Sequence, residues 1–124
     1  MKEVKKLSTS EKEIMHAIWE NKKSLCVNDV FALLENSDWK YTTVATFLSR
    51  LTKKGFLKCH KKGTQNYYDE NISREEYLSQ QTNEFMKDMY DNSARDFIAS
   101  ICKERISEDD YKELMSILKK YEKN

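Results

Sequence analysis

A chain of 124 residues, 39% hydrophobic and 35% charged, fits one soluble folded domain with a thin core; its longest uncharged run, Tyr41 to Ser49, is too short to span a bilayer and no apolar leader follows the charged N-terminus, so a cytoplasmic protein is expected. Two glycines, no proline and three cysteines without a C-x-x-C pair leave no phosphate-cradling loop or nucleophile elbow, and His16 and His60 lie far apart, so no metal, no cofactor and no enzyme are expected. The net charge of +1 hides an imbalance: residues 1–74 hold 14 Lys/Arg against 9 Asp/Glu, residues 75–124 hold 8 against 12, and the stretch Trp39–Tyr68 has seven bases and no acid, which points to an anionic partner for the first part.

Ser8-x-x-Glu11 and Ser10-x-x-Glu13 are overlapping capping boxes that open a first helix to about Asn21, with Ile14, Met15, Ile18 and Trp19 inward. A second helix runs roughly from Asn28 to Glu35 and carries Val30, Phe31 and Leu34, with Ser24 and Asn28 as alternative caps. A third begins near Tyr41 or Thr42 and stops at Gly55, the residue type of a left-handed C-terminal cap. Gly63 lies between two short β-like runs, Phe56–Lys61 and Asn66–Asp69, as the turn of a hairpin. Tyr67 and Tyr68 alternate, so one packs inward and the other faces out. Cys59 alternates with Lys58 and His60 and is expected inward, and Cys26 and Cys102 read as small core residues.

The expected fold is mainly α: an N-terminal winged helix-turn-helix of three helices plus a small β-hairpin wing (residues 1–72), followed by an α-helical dimerisation region (residues 73–124). In the second region Ser73-x-x-Glu76 caps a helix with Tyr77, Gln81, Phe85 and Met89 on one face. Asn92-Ser93 marks a break. Phe97, Ile98, Ile101 and Cys102 make the next stripe, and Ser107-x-x-Asp110 opens a last helix carrying Tyr111, Leu114, Met115, Leu118 and Tyr121. Fifty residues cannot close a core around so many large side chains; they could fold back on the first domain, but pairing explains the long stripes better, so Tyr77, Phe85, Met89, Phe97, Ile98, Ile101, Tyr111, Leu114, Met115 and Leu118 are expected to meet a second copy of the chain, giving a homodimer.

The third helix divides cleanly. Val44, Phe47, Leu48 and Leu51 share a narrow apolar arc, and the opposite arc presents Thr42, Thr46, Ser49, Arg50 and Lys53, with Thr43 at its edge. Threonine offers a methyl and a hydroxyl to base edges, arginine forks onto guanine, and lysine neutralises phosphate. A merely solvated face would mix acids with bases, and this one has none. Lys58, His60, Lys61 and Lys62, then Thr64 and Gln65, surround the hairpin turn at Gly63 and are expected to make a second contact with double-stranded DNA, at phosphate or in the minor groove. The competing reading of that tip is a charged edge that discourages sheet aggregation.

LSTSEKEIMHAIWE, YTTVATFLSRLTKKGFL and a lysine-rich hairpin ending QNYYDENISREEY together resemble the penicillinase-repressor (BlaI/MecI-like) family of winged-helix regulators, and ISEDDYKELMSILKK resembles its last helix. The resemblance implies a cytoplasmic homodimeric repressor on a dyad-symmetric operator, with Thr42, Thr43, Thr46 and Arg50 in the recognition helix and Lys61–Gln65 in the wing. It also implies control of β-lactam-resistance or related genes, relieved by proteolysis or dimer weakening. The implied protease is a membrane-embedded sensor zinc enzyme that cleaves at an Asn-Phe bond; the corresponding stretch here, about Asp96–Cys102 (DFIASIC) with Ala99, Ser100 and Ile101 as the candidate cleavage region, contains no Asn-Phe bond. The alternatives are a ligand-responsive winged-helix regulator, with Phe85, Met86, Met89 and Tyr90 around the ligand, and a protein-interaction module for an acidic partner.

Overall fold

The computed structural model describes residues 6–34, 38–104 and 106–122. Two compact units divide at Gln81/Thr82. The first contains α1 (Thr9–Asn21), β1 (Leu25–Cys26), α2 (Val27–Leu33), α3 (Tyr41–Lys53), β2 (Leu57–Lys62) and β3 (Gln65–Glu70). The antiparallel sheet has the order β1-β3-β2. Three helices and a three-stranded sheet in this sequence make a winged helix.

Local chemistry sets each boundary. Of the two overlapping boxes at the start of α1, the one at Ser8 is used: its hydroxyl accepts from Glu11 N–H at 3.2 Å and Glu11 Oε1 accepts from Ser8 N–H at 2.8 Å. The helix ends where Lys22 turns left-handed, φ +50°. Neither Ser24 nor Asn28 caps α2. Cys26 stands at that position, and its N–H donates to Asp29 Oδ2 at 3.1 Å; this bond holds the Asp29 carboxyl below its usual range. α2 is thus shifted toward the N-terminus of the expected span, whose last residue, Glu35, lies outside the described residues.

α3 closes with a Schellman motif. Phe56 N–H bonds Leu51 O at 3.0 Å and Gly55 N–H bonds Thr52 O at 3.1 Å, which requires the left-handed φ of +91° at Gly55. The motif also drives Phe56 and Leu51, both fully buried, into the core. At the other end of the hairpin Gly63 supplies a positive φ of +68° for a two-residue turn between the paired Lys62 and Gln65.

The core is one cluster: Ile14, Met15, Ile18 and Trp19 from α1, Leu25 from β1, Val30 from α2, Val44, Leu48 and Leu51 from α3, then Phe56, Leu57 and Tyr68. Each fully buried Leu, Ile or Phe contributes about 1.5–3 kcal/mol relative to exposure. Phe31 and Phe47 fall short of the expected burial. Phe31 is 38% exposed and set edge-on to Tyr41, while Phe47 is half-buried against Trp39.

Three sequence expectations are corrected. Cys59 is exposed: it keeps the inward register, opposite buried Tyr68, but β2 is an edge strand and only its first residue, Leu57, is buried. Cys102 is exposed too, because α5 buries none of its residues within one chain. Tyr77, expected at the dimer face, is 5% exposed in the winged-helix core. Its hydroxyl accepts from Leu7 N–H at 3.2 Å and its ring meets Trp19 and Phe56 at 5.8 and 5.7 Å. The first unit therefore includes the opening turns of α4 (Arg74–Tyr90) and extends past the expected boundary at residue 72. Trp19 Nε1–H reinforces the junction by donating to Ile72 O at 2.9 Å.

In the second unit α4 ends at Tyr90, Asp91 and Asn92 turn left-handed (φ +48° and +63°), and Ser93 caps α5 (Ala94–Lys103) by accepting from Asp96 N–H at 3.1 Å. Ser107 does the same for α6 (Glu108–Lys120), accepting from Asp110 N–H at 3.0 Å. Phe85, Tyr90 and Phe97 pack edge to face around one another at 5.5–6.2 Å. No helix among the described residues is long and apolar enough to cross a membrane.

Candidate nucleic-acid interface

α3 presents Thr42, Thr46, Ser49, Arg50 and Lys53 to solvent and buries Val44, Leu48 and Leu51 on the opposite arc. Thr43 is half-buried at the edge. No acid stands in the first turn, and Lys40 caps the helix with no side-chain hydrogen bond. The helix N-terminus thus carries neither a side-chain cap from Lys40 nor a first-turn acid to compete with an external anion, an arrangement that favours a phosphate. Arg50 and Lys53 lie in the last turn, where the helix dipole favours cations.

The exposed side chains are held rather than loose. The Arg50 guanidinium lies 5.4 Å from the centre of the Phe47 ring, a cation–π contact that restricts the fork before it meets a base. Phe47 in turn rests on Trp39 at 5.4 Å. Thr46 Oγ1 donates to Thr42 O at 2.9 Å, so its hydroxyl proton is spent within the helix. Its methyl and oxygen lone pairs remain, a combination suited to a thymine methyl or an amine donor.

Lys54 belongs to the basic stretch but not to this face. Its Nζ lies 2.8 Å from both carboxylate oxygens of Glu11, itself only 1% exposed. Burial pushes the Glu11 carboxyl up, yet the Lys54 ammonium and the Ser8 bonds outweigh it and hold the group below its usual value. Sequence reading saw Glu11 only as half of a capping box; its partner 43 positions away was not legible.

At the wing tip Lys61, Lys62, Thr64 and Gln65 are all exposed. The root of the wing is fixed by Asn71, whose side-chain amide donates to Gly55 O at 2.8 Å and whose backbone N–H donates to Phe56 O at 2.8 Å. The sequence reading placed His60 at the wing but not its partners: His60 pairs with Asp69, and Asp69 accepts from the Ser24 hydroxyl. Among the described residues no cluster of three or more His, Cys, Asp or Glu could hold a metal ion.

In the second unit Phe85, Met89, Ile101, Tyr111, Met115 and Leu118 are exposed, Met89 to 68%, and Phe97, Ile98 and Leu114 are half-buried. Neither α5 nor α6 buries any residue within one chain. Ala99, Ser100 and Ile101 sit inside α5, with the Ser100 and Tyr90 hydroxyls 3.0 Å apart.

Residues 7–120 match the family described as Penicillinase repressor. The penicillinase repressor of Bacillus licheniformis is 30% identical over 123 residues, covering 98% of this chain and 95% of that protein. The solution structure of the DNA-binding domain of the repressor BlaI is 38% identical, with a TM-score of 0.54, over 62% of this chain and 94% of that one. The monomeric form of Bacillus licheniformis BlaI, solved in complex with the blaP half-operator, is 37% identical, with a TM-score of 0.52, over the same shares.

Proposed function

Because the chain belongs to the penicillinase repressor family, we propose that it is a sequence-specific DNA-binding transcriptional repressor that acts as a homodimer on a dyad-symmetric operator. The observation that carries the reading is the acid-free exposed face of α3, with Arg50 braced on Phe47, together with the basic wing tip. Thr42, Thr43, Thr46, Ser49 and Arg50 read base edges and Lys53, Lys61 and Lys62 engage phosphates, with Thr64 and Gln65 at the minor groove. A relative that shares this fold was solved on a half-operator, which supports one head per half-site. The protein acts by binding, in the cytoplasm, with no chemistry of its own.

The exposed apolar side chains of α4, α5 and α6 are the dimer surface. Large apolar side chains left exposed on successive helices mark an interaction face, and pairing it joins two heads at a fixed spacing. Repression of β-lactam-resistance or related genes is then relieved by whatever separates the heads: loosening of the dimer, or cleavage near Ala99–Ile101 by a membrane-embedded sensor zinc protease. That segment is helical, so cleavage requires α5 to unwind locally first.

Anisotropy titration against duplex from upstream of the chain's own gene, with a random duplex as control and a salt series, tests the reading. Tighter binding to the first duplex, with affinity falling steeply in salt, is the expected result. Equal binding to both duplexes at every salt concentration contradicts base readout.

A further inference from the structure

The outer face of the wing carries a histidine built into a small network. Lys58 pairs with Asp69 and His60 with Tyr67 across β2 and β3, and strand alternation places Lys58, His60 and Lys62 on one face with Gln65, Tyr67 and Asp69. His60 Nδ1 lies 3.1 Å from Asp69 Oδ2, and the imidazole stacks on Tyr67 at 6.1 Å between centres and 22° between planes. The other Asp69 oxygen accepts from Ser24 Oγ, just ahead of β1. One carboxylate therefore ties both wing strands to the entry of the third.

An ionised carboxylate only accepts, so Nδ1 carries the proton of this bond and Nε2 is the ring nitrogen left over. The His60 side chain is 49% exposed. With a neutral ring, Nε2 is a bare lone pair that cannot donate to a phosphate. With a charged ring it becomes a second donor bearing full charge.

We propose that His60 is a proton-linked phosphate contact of the wing: Asp69 and Tyr67 hold the ring, its Nε2–H donates to a backbone phosphate, and DNA binding takes up a proton at this residue. The inference rests on the reading of the wing as a DNA contact. The charges around the ring fit the role. From β3 the Asp69 carboxylate attracts a charged ring and the Tyr67 phenol is neutral; from β2 Lys58 and Lys62 repel it; ahead of β1 the Ser24 hydroxyl is neutral. Along the cleft that Asp69 also lines, Lys22, Lys23 and Arg74 are opposed by Glu70 and Glu75. An arriving phosphate adds a second anion against the two lysines, which favours the charged ring in the complex.

The test is an anisotropy titration of the intact chain on a random duplex and on the duplex from upstream of its own gene, each over a salt series, at pH about 6 and about 8. The wild type is expected to bind severalfold tighter at the lower pH, with the log affinity against log salt slope steeper by about one. H60Q loses both effects, and H60R, charged throughout, keeps the steeper slope at both pH values. H16Q, altered on α1, behaves as wild type. Thermal melts of the free variants separate contact loss from unfolding. If the wild type binds but H60Q keeps its pH dependence, or the wild type shows none, the proposal fails while the DNA reading stands. If the wild type binds neither duplex at either pH, both fail.

Discussion

Lys54 at the C-terminal cap of α3 chelates the buried carboxylate of Glu11 near the start of α1, Nζ to both oxygens at 2.8 Å. The same carboxylate accepts the Ser8 N–H of the α1 capping box. Glu11 thus joins the entry of the first helix to the exit of α3, and its position in the core helps to fix the angle at which α3 is presented. Sequence neighbours could not reveal the pair, because the two residues are 43 positions apart and each has an ordinary local role.

Removing Lys54 strands that carboxylate. Lys54→Met should destabilise the fold at neutral pH by about 2–4 kcal/mol, toward the lower end for a buried pair because Lys54 is a quarter exposed. The pH dependence has a definite sign. Glu11 is held below its ordinary 4.5, so in the wild type its contribution is complete above that value and is lost as pH falls through the lower folded one. In Lys54→Met, protonation relieves the buried charge instead. Urea melts should show the gap between the two proteins narrowing in acid; a constant gap would mean that the pair is not the cause.

Tyr77→Phe separates core from interface. Losing the hydroxyl leaves the buried Leu7 N–H without its acceptor, a cost of about 1–2 kcal/mol in urea. Sedimentation equilibrium should be unchanged. A shift toward monomer would return Tyr77 to the dimer face.

Met115→Glu or Leu118→Glu should act in the opposite way. Each places a charge on an apolar surface that one chain leaves exposed. The expected outcome is dissociation to monomers by sedimentation, with weaker operator binding because a lone head makes half of the contacts. Dimers of unaltered strength would exclude α6 from the interface.

Arg50→Ala should weaken specific binding by about 1–3 kcal/mol, the worth of a bidentate contact to guanine. Binding to random duplex should fall much less. Equal losses on both would reduce Arg50 to a phosphate contact, and Lys53→Ala provides that comparison.

Much of the head was legible. The arc of Val44, Leu48 and Leu51 follows from helical period alone, and Gly55 and Gly63 both stand where the backbone takes a positive φ, whereas the left-handed turn at Lys22 carries no such residue signal. β1 was not legible, since two residues, Leu25 and Cys26, show no alternation and owe their pairing to Tyr68 and Tyr67 of a distant strand. Cys59 misled because alternation gives the side a residue faces, whereas burial depends on what covers that side. Tyr77 misled for a related reason. It shares a helical face with Phe85 and Met89, yet its first turns belong to the winged-helix core. For the site, the polar face of α3 was readable; the Phe47 ring beneath Arg50, three positions away on the same helix, was missed because Phe47 was assigned to the core, and the Asp69 bond to His60 depends on how β2 pairs with β3.

The most direct test of a dimer reading a dyad is hydroxyl-radical footprinting of the intact chain on the DNA upstream of its own gene. Two protected half-sites related by a dyad, with centres about 10 base pairs or a multiple of that apart, are the expected pattern. A single protected site, or uniform protection with no dyad, would contradict it.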